Sequence, residues 1–411
     1  MSKVLELFLG VLTAMGGFVE IGELTFTTNG GVHFGYSLLW VMLFGTLGII
    51  VFGEMAGRVA AVARQPVFNL IRERAGFNAG LVTLLAANAV TLLTCAAEIG
   101  GVALVLQLLV ELPYRALVVV GLVALVVVMW LLPFRWIERV FGLGGLMLAV
   151  VLPVAWRADI DWSALARGLV PAAPTEGDGS GLLYAYYVVA LLSSVLLPYE
   201  VYFYAGGAIE DRWTAKDIML NRVVVIVGFA LGGLLGVALM SIGATWFAPR
   251  HMDAQLPGTA ALAAAATFGK AGLLLMIGGM LFAFAGAAIE TALSGAYNVA
   301  HFFGWPWGKF RAPAEAPRFT LAWLVITVAA ALIVLTGVDP IAVVEYSIVF
   351  SVVILPLTYF PLVLVAADRR VMGEHASGRL ANVLGVAYLV VVTVAALAAV
   401  PLLIATHGGR A

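Results

Sequence analysis

The sequence has little charge, almost no cysteine and no catalytic signature. Of its 411 residues only 11% are Asp, Glu, Lys or Arg, and the single cysteine, Cys95, excludes an intramolecular disulfide. The net charge of −1 and the lack of a basic block give no indication of nucleic-acid binding. There is no HExxH, GxSxG or P-loop motif, so nothing predicts an enzyme or a bound cofactor.

What the chain has in abundance is apolar residues. Hydrophobic residues make up 63% of the sequence, and the mean hydropathy is +1.07. A soluble domain of this size would have too little polar surface to cover it. We therefore expect an all-α polytopic membrane protein, whose principal partner is the lipid bilayer.

Eleven segments are predicted to cross the membrane, since a helix needs about 20 predominantly apolar residues to do so. The first and the sixth are each interrupted by polar residues. The predicted spans are 5–32, 36–62, 79–110, 115–133, 137–155, 182–208, 221–248, 270–302, 318–337, 341–366 and 382–405.

The distribution of Lys and Arg predicts the orientation, because cytoplasmic loops carry more of both residues. With the N-terminus inside, 16 of the 22 Lys and Arg residues lie in inner loops or at inner helix ends. We therefore expect a multi-pass protein of the cytoplasmic (inner) membrane with a cytoplasmic N-terminus. An odd number of spans then places the C-terminus on the extracytoplasmic side.

The longest polar stretch, residues 156–181, falls between the fifth and sixth spans. It divides the chain into a first five-helix repeat, 1–155, and a second, 182–366, followed by a loop and an eleventh helix, 367–411. The two interrupted spans then occupy equivalent positions in the two halves. Such a pair indicates a transporter built from inverted repeats, with its binding site near the middle of the membrane.

Three glutamates lie within the interrupted spans. Glu20 and Glu23 are in the first (FVEIGELTF), and Glu200 is in the sixth (LLPYEVYFY). An ionised carboxylate is costly in hydrocarbon, so it normally faces a cavity, a partner or a transported ion. Acids at the breaks of two separated spans therefore predict one cation site assembled from both.

Four longer segments carry a recognisable pattern that extends over nearly the whole chain. They are HFGYSLLWVMLFGTLGIIVFGEMAGRV after the first break, LLPYEVYFYAGGAIEDR at the second, FAGAAIETALSGAYNVAHFFGW in the eighth span and LPLTYFPLVLVAADRRVMGEHASGRLANVLG after the tenth. These segments resemble Nramp metal-ion transporters. The resemblance implies a leucine-transporter-type fold with five plus five inverted helices, broken helices 1 and 6, and an extra eleventh helix. It also implies a divalent cation as substrate.

The resemblance aligns the family's Asp-Pro-Gly-Asn motif with residues 20–23, where a second acid replaces the amide and the proline is missing. In the sixth span the family's methionine aligns with Leu197, Pro198 is kept, and Tyr199 and Glu200 replace a histidine and an asparagine. We expect the open helix ends at the two breaks to contribute backbone carbonyls. The implied substrate site is Glu20, Gly22, Glu23, Leu197, Pro198, Tyr199 and Glu200.

Three further residues are assigned to a proton or ion path. Glu98 on the third span matches a family glutamate, and Arg318 matches one of two ninth-span arginines. Glu290 lies where the family has a small hydroxyl residue, and it fits a fourth site acid or a salt-bridge partner equally well. Cys95 and Ile348 stand in place of a family aspartate and glutamine.

The substitutions predict a hard cation. Leu197 removes a soft sulfur ligand, whereas carboxylates, carbonyls and water suit Mg²⁺, Ca²⁺ and Mn²⁺. Mg²⁺ or Mn²⁺ is therefore the expected substrate. Three like charges cannot all stay ionised without the metal, so the site would take up a proton, and metal and protons would be exchanged or carried together. Passive transport without proton coupling is the alternative.

Two other functions fit the same residues. Tyr199, Tyr202, Phe203 and Tyr204 accompany Glu200, and aromatic faces beside an acid also bind organic cations. A carrier of a small amine or a cationic amino acid is thus the alternative, and competition by amines but not by Mg²⁺ or Mn²⁺ would identify it. A sensor would bind the cation without moving it.

Overall fold

The structure is a computed structural model that describes residues 10–11, 19–172 and 181–409. All regular secondary structure in these ranges is helical, which confirms the predicted all-α class. The α-helices are α1 (Ile21–Phe34), α2 (Leu39–Ala63), α3 (Val67–Leu106), α4 (Tyr114–Leu131), α5 (Phe134–Gly145), α6 (Val151–Arg157), α7 (Trp162–Gly168), α8 (Gly181–Val195), α9 (Pro198–Glu210), α10 (Ile218–Ile242), α11 (Pro257–Phe303), α12 (Pro317–Leu335), α13 (Pro340–Ala367), α14 (Arg369–Met372) and α15 (Arg379–Ala405).

Ten segments of the described chain are long and apolar enough to cross a membrane. They correspond to the second to eleventh predicted spans. The fifth of the eleven consists of α5 and α6, joined by a 3-10 turn, and the sixth consists of α8 and α9. Of the first predicted span, α1 is the second half, and residues 5–9 and 12–18 lie outside the described residues.

Helices α1 and α9 each begin after an extended residue at a break, and each has a glutamate at the same helical position. In α1 the extended N-cap is Glu20 (φ −99°, ψ 173°), and in α9 it is Leu197 (φ −69°, ψ 120°). Pro198 suits the first position of α9, because it lacks the N–H that would find no helical partner there. Glu23 and Glu200 therefore both occupy the third helical position after a break.

Two long helices bend at glycines that adopt positive φ. Gly76 (φ 82°) lies in α3, and Gly269 (φ 60°) lies in α11. Such backbone angles are accessible to glycine because it has no Cβ. The bend in α11 explains the largest difference from the predicted spans: the helix begins at Pro257, and the prediction, 270–302, begins after the bend.

Helix packing brings the two restarts together. Helices α3 and α11 pack along each other, and α13 packs on α3. Helix α1 lies against α8 and α10, while α9 lies against α2 and α11. The starts of α1 and α9 are buried as a result, next to the middle of α3.

The connection predicted as 156–181 contains the short helix α7. Its N-cap Asp161 accepts hydrogen bonds from the backbone N–H groups of Ser163 and Ala164, at 2.9 and 3.0 Å. These bonds satisfy donors that have no partner within the helix. Residues 173–180 of the connection lie outside the described residues. The division into two five-helix repeats, 1–155 and 182–366, with the segment 367–411 after them, stays a prediction.

Candidate cation site

A hydrogen bond between the side chains of Glu20 and Tyr199 joins the two breaks. Glu20 is 2% exposed and Tyr199, the second residue of α9, is 1% exposed. The other carboxylate oxygen of Glu20, Oε2, meets no hydrogen-bond donor within the described chain. A buried carboxylate oxygen is costly to leave unpaired, so this atom has a strong physical demand for a cation or a proton.

Glu200 presents a second unpaired oxygen, at the other break. It follows Tyr199 in the first turn of α9 and is 4% exposed. Its Oε2 likewise has no hydrogen-bond partner among the described residues. Glu290 and Glu20 interact with it electrostatically. The start of a helix carries a partial positive charge, which helps to hold a carboxylate at this position.

The Glu23 carboxylate points towards α10. A Cβ added to Gly236 of α10 would lie 2.5 Å from Glu23 Oε1 and 2.5 Å from Met42 Cε, so the carboxylate occupies the space that this glycine leaves. Neither of its oxygens has a hydrogen-bond partner in the described ranges. Glu23 interacts electrostatically with Glu20 and Glu200, and it therefore adds a third carboxyl group from the α10 side.

The three glutamates do not close around a single point. In the part of the chain that the structure describes, no three Asp, Glu, His or Cys side chains could hold one metal ion together. A cation between Glu20 and Glu200 would therefore need backbone carbonyls and water as well, which Mg²⁺ commonly uses. Pro198 frees one such group, since it has no N–H to bond the carbonyl four residues earlier.

Gly22 is closely packed against two side chains. A Cβ at this position would lie 2.6 Å from Ile348 Cδ1 and 2.9 Å from Glu20 Oε1. The Ile348 side chain thus packs directly against the first break, where the family resemblance places a glutamine. The Ile348 carbonyl accepts a hydrogen bond from Ser193 Oγ at 2.6 Å, so this backbone group is tied to α8.

Glu98 contacts the first break, but through the backbone. Its Oε1 accepts a hydrogen bond from the Ile21 N–H at 3.1 Å, and its Oε2 has no partner among the described residues. Glu98 also interacts electrostatically with Glu20 and Glu290. The structure therefore brings Glu98 to the candidate site, at the position of a cap for α1.

The other two predicted path residues lie apart from each other. Glu290 of α11 lines a small cavity together with Glu138 of α5. Arg318 is exposed at the start of α12, with its guanidinium carbon 5.4 Å from the centroid of the Trp305 ring. Of the two, only Glu290 is among the electrostatic neighbours of Glu200.

Sequence reasoning missed Lys309 and Glu138. Lys309 follows α11 in the segment GWPWGKF, and its Nζ lies 3.5 Å from Glu138 Oε1. In the sequence both residues resembled ordinary charges at the predicted inner end of the bundle. The available signal was the tryptophan and phenylalanine residues around Lys309, which predict a buried rather than a solvated side chain.

The aromatic residues next to Glu200 turn towards different neighbours. The hydroxyls of Tyr202 and Tyr204 donate hydrogen bonds to side chains of other helices, at 2.9 and 2.7 Å. Phe203 faces the Lys309 ammonium, which lies 5.6 Å from its ring centroid. These three rings do not form an aromatic cage around Glu200.

Two interrupted helices whose restarts meet inside a bundle, with unpaired acids at both, define a secondary transporter of the broken-helix class. The model of the family described as "Natural resistance-associated macrophage protein-like" (Nramp) matches residues 10–401. The chain therefore belongs to the Nramp family. Members of this family are membrane transporters and not enzymes, and the metal is their cargo and not a cofactor.

Curated relatives and solved structures agree with this assignment. The divalent metal cation transporter MntH of Deinococcus radiodurans is 28% identical over 393 residues, covering 92% of this chain and 86% of the relative. MntH of Verminephrobacter eiseniae is 25% identical, covering 87% and 80%. The crystal structure of the Eremococcus coleocola manganese transporter with an aromatic bis-isothiourea substituted compound has a TM-score of 0.79 at 19% identity, covering 95% and 84%.

A further solved structure shares this fold. MhsT in complex with L-phenylalanine has a TM-score of 0.65 at 16% identity, covering 96% of this chain and 98% of that one. The similarity confirms the predicted leucine-transporter-type fold. At such low identity it concerns the fold alone.

Proposed function

We propose that this chain transports a hard divalent cation, Mg²⁺ or Mn²⁺, across the cytoplasmic membrane. The observation that carries the proposal is the Glu20–Tyr199 hydrogen bond, which holds unpaired oxygens of Glu20 and Glu200 at adjoining helix restarts. Carboxylates, carbonyls and water are ligands that suit these ions. Leu197, at the N-cap of α9, offers no sulfur atom for a softer metal.

In this proposal Glu20 and Glu200 bind the ion directly or through water, and Glu23 supplies a third negative charge. When the ion leaves, three carboxylates near one another cannot all remain ionised, so the site takes up a proton. Metal movement is then linked to proton movement. Glu98, whose Oε2 has no partner among the described residues, is the adjoining acid through which a proton can pass.

The route to one side of the membrane is a cavity of 1110 Å³ at the end of the bundle where α5 begins and α9 ends. Arg135, Arg212 and Arg311 line it. Since Lys and Arg concentrate on the cytoplasmic side, we assign this cavity to the cytoplasm, the N-terminus to the same side and the C-terminus to the opposite side.

The test is flux into proteoliposomes that contain a pH dye, with Mg²⁺, Mn²⁺, Ca²⁺ and a panel of small amines as substrates. Glu20→Gln and Glu200→Gln should each abolish divalent flux and strongly weaken binding in calorimetry. The matched control is Glu345→Gln, a buried glutamate on α13 that is 8% exposed and not at either break.

The same flux and binding measurements distinguish the alternative functions. Flux of amines that Mg²⁺ and Mn²⁺ do not inhibit would replace the metal proposal with an organic-cation carrier. Metal binding without flux would identify a sensor. Metal flux without a change in the dye signal would show passive transport.

A further inference from the structure

Lys309 lies in the connection between α11 and α12, yet its side chain is only 3% exposed. Its Nζ lies 3.5 Å from Glu138 Oε1. The same atom lies 4.6 Å from the centroid of the Phe134 ring and 5.1 Å from that of Phe310. A carboxylate and aromatic faces are groups that bind cations. Here the cation that they surround is the ammonium of the protein's own lysine.

The backbone around Lys309 is anchored to α9. Its N–H donates a hydrogen bond to the Glu210 carboxylate, which also accepts one from the Tyr297 hydroxyl. A Cβ at Gly207 would lie 3.3 Å from Lys309 Nζ, so this glycine lets the ammonium approach the helix closely. The backbone of Lys309 is therefore held in place by two helices, although it lies in a connection between helices.

The ammonium keeps its charge in this position. Burial alone would lower the pKa of Lys309, but the carboxylates of Glu138, Asp211 and Glu210 outweigh that effect, and the pKa lies above its ordinary value. Without the lysine, Glu138 would lose its ion-pair partner. Removing one partner of a buried ion pair leaves an uncompensated charge that is strongly destabilising.

Glu138 stands at a junction between two cavities. It lines the 1110 Å³ cavity that opens to solvent, and it also lines a 30 Å³ cavity that contains Glu290. A space of about 10–15 Å³ already holds a water molecule. Glu290 interacts electrostatically with Glu138 and Lys309 and also with Glu200, whose buried Oε2 is unpaired within the described chain. Glu200, Glu290 and Glu138 thus form a series of electrostatically interacting acids between the break at α9 and the open cavity.

We propose that Glu138 and Glu290 form a second cation site between the breaks and the open cavity, and that the Lys309 ammonium is its resident occupant, which the transported divalent ion displaces as it passes. The inference rests on the proposed function, because it concerns the route of the same ion. Unlike a surface lysine, Lys309 then compensates the charge of these acids whenever no transported ion is present.

The first test uses the wild-type protein and measures acetylation of lysines by an N-hydroxysuccinimide ester, with and without saturating Mg²⁺. The exposed Lys216 and Lys270 serve as internal references. Mass spectrometry should show that Mg²⁺ raises the acetylation of Lys309 several-fold relative to both references. An unchanged or lower value would overturn the inference, because the ion would then leave the ammonium in its place.

The second test is calorimetric titration of Lys309→Met with Mg²⁺. Because no ammonium then competes for the second site, this variant should bind Mg²⁺ there more tightly than wild type and Lys309→Arg do, and the double variant Lys309→Met/Glu138→Gln should lose that gain. Equal Mg²⁺ affinity in all four proteins would contradict a second site. If Lys309→Met does not fold, the acetylation experiment still decides.

The two proposals can fail separately. Two results together would rule out the proposed substrate site and support the second one. In the first, Mg²⁺ raises the acetylation of Lys309; in the second, Glu200→Gln titrates with Mg²⁺ as wild type does, which shows that the breaks bind no metal. If Glu200→Gln abolishes Mg²⁺ binding but Mg²⁺ does not change the acetylation of Lys309, the substrate site is supported and the second site is ruled out.

Discussion

The backbone N–H of Ile21 donates its hydrogen bond to Glu98 Oε1, 3.1 Å away and 77 residues later in the chain. The residue at the N-cap of α1, Glu20, makes no cap hydrogen bond with its own side chain. Its carboxylate bonds to Tyr199 instead. Glu98, on α3, therefore provides the hydrogen-bond acceptor at the start of α1, and this leaves the Glu20 carboxylate available to the proposed cation site.

Replacing Glu98 should separate capping from proton transfer. Glu98→Leu removes the acceptor of a buried N–H, and we expect it to lower the free energy of unfolding by about 1–3 kcal/mol. Glu98→Gln keeps an oxygen acceptor and should unfold close to wild type. Thermal unfolding in detergent measures both. Equal losses in the two variants would show that the cap is not what Glu98 provides, and loss of proton flux alone in Glu98→Gln would assign it to the path.

Gly22→Ala should weaken divalent-cation binding by at least about tenfold, or ~1.4 kcal/mol. The added methyl would stand 2.6 Å from Ile348 Cδ1 and 2.9 Å from Glu20 Oε1, so one of the two must move. Calorimetric titration with Mn²⁺ or Mg²⁺ measures the effect. Gly145→Ala is the matched control, because a Cβ there meets nothing within 4 Å.

Shortening the partner side chain should reverse the effect of Gly22→Ala. Ile348→Ala removes the atom that the new methyl meets, so Gly22→Ala/Ile348→Ala should recover most of the affinity. No recovery would mean that the methyl acts on the Glu20 carboxylate and not through the isoleucine.

The two breaks were predictable because their causes are local. Pro198 ends the preceding helix and starts the next one, and an acid such as Glu20 or Glu200 within an apolar span signals a site. The positions of the spans follow from hydropathy in the same way, and ten of them are found in the described chain. The start of α11 was missed because the helix continues through the bend at Gly269.

The partners of the acids were not predictable from the sequence. The Glu98–Ile21 bond depends on how α3 packs against α1, and no short sequence pattern encodes that contact. The direction of Glu23 towards Gly236 depends on the approach of α10 in the same way. Lys309 resembled one more positive charge of an inner loop, because hydropathy does not show that a loop folds back into the bundle.

Glu23→Gln should stabilise the protein without metal and abolish its response to metal. Both carboxylate oxygens are buried and have no hydrogen-bond partner within the described residues, so neutralising the group should raise the free energy of unfolding by about 1–3 kcal/mol. Unfolding temperatures with and without Mg²⁺ provide the measurement. A less stable variant would indicate that Glu23 is paired in solution.

Gly236→Ala tests the same carboxylate from the opposite side. A Cβ at this position would lie 2.5 Å from Glu23 Oε1, so the carboxylate must move away from α10. We expect weaker metal binding in this variant, measured by calorimetry. Wild-type affinity would show that the position of Glu23 against α10 does not matter for the ion.

Leu197→Met should shift the preference of the site towards softer metals. The residue is the N-cap of α9 and is 1% exposed, at the break where the ion is proposed to bind. A thioether favours Mn²⁺ and Cd²⁺ over Mg²⁺ when it can reach the ion, and we expect the affinity ratio to change by about tenfold, or ~1.4 kcal/mol. Competition titrations of Cd²⁺ or Mn²⁺ against Mg²⁺ measure this ratio.

Leu196→Met is the matched control, because Leu196 is equally buried at 0% and adjoins the same break but is not the N-cap. A shift in Leu197→Met alone would mean that this side chain faces the ion, whereas equal behaviour of the two variants would place the ion away from the start of α9.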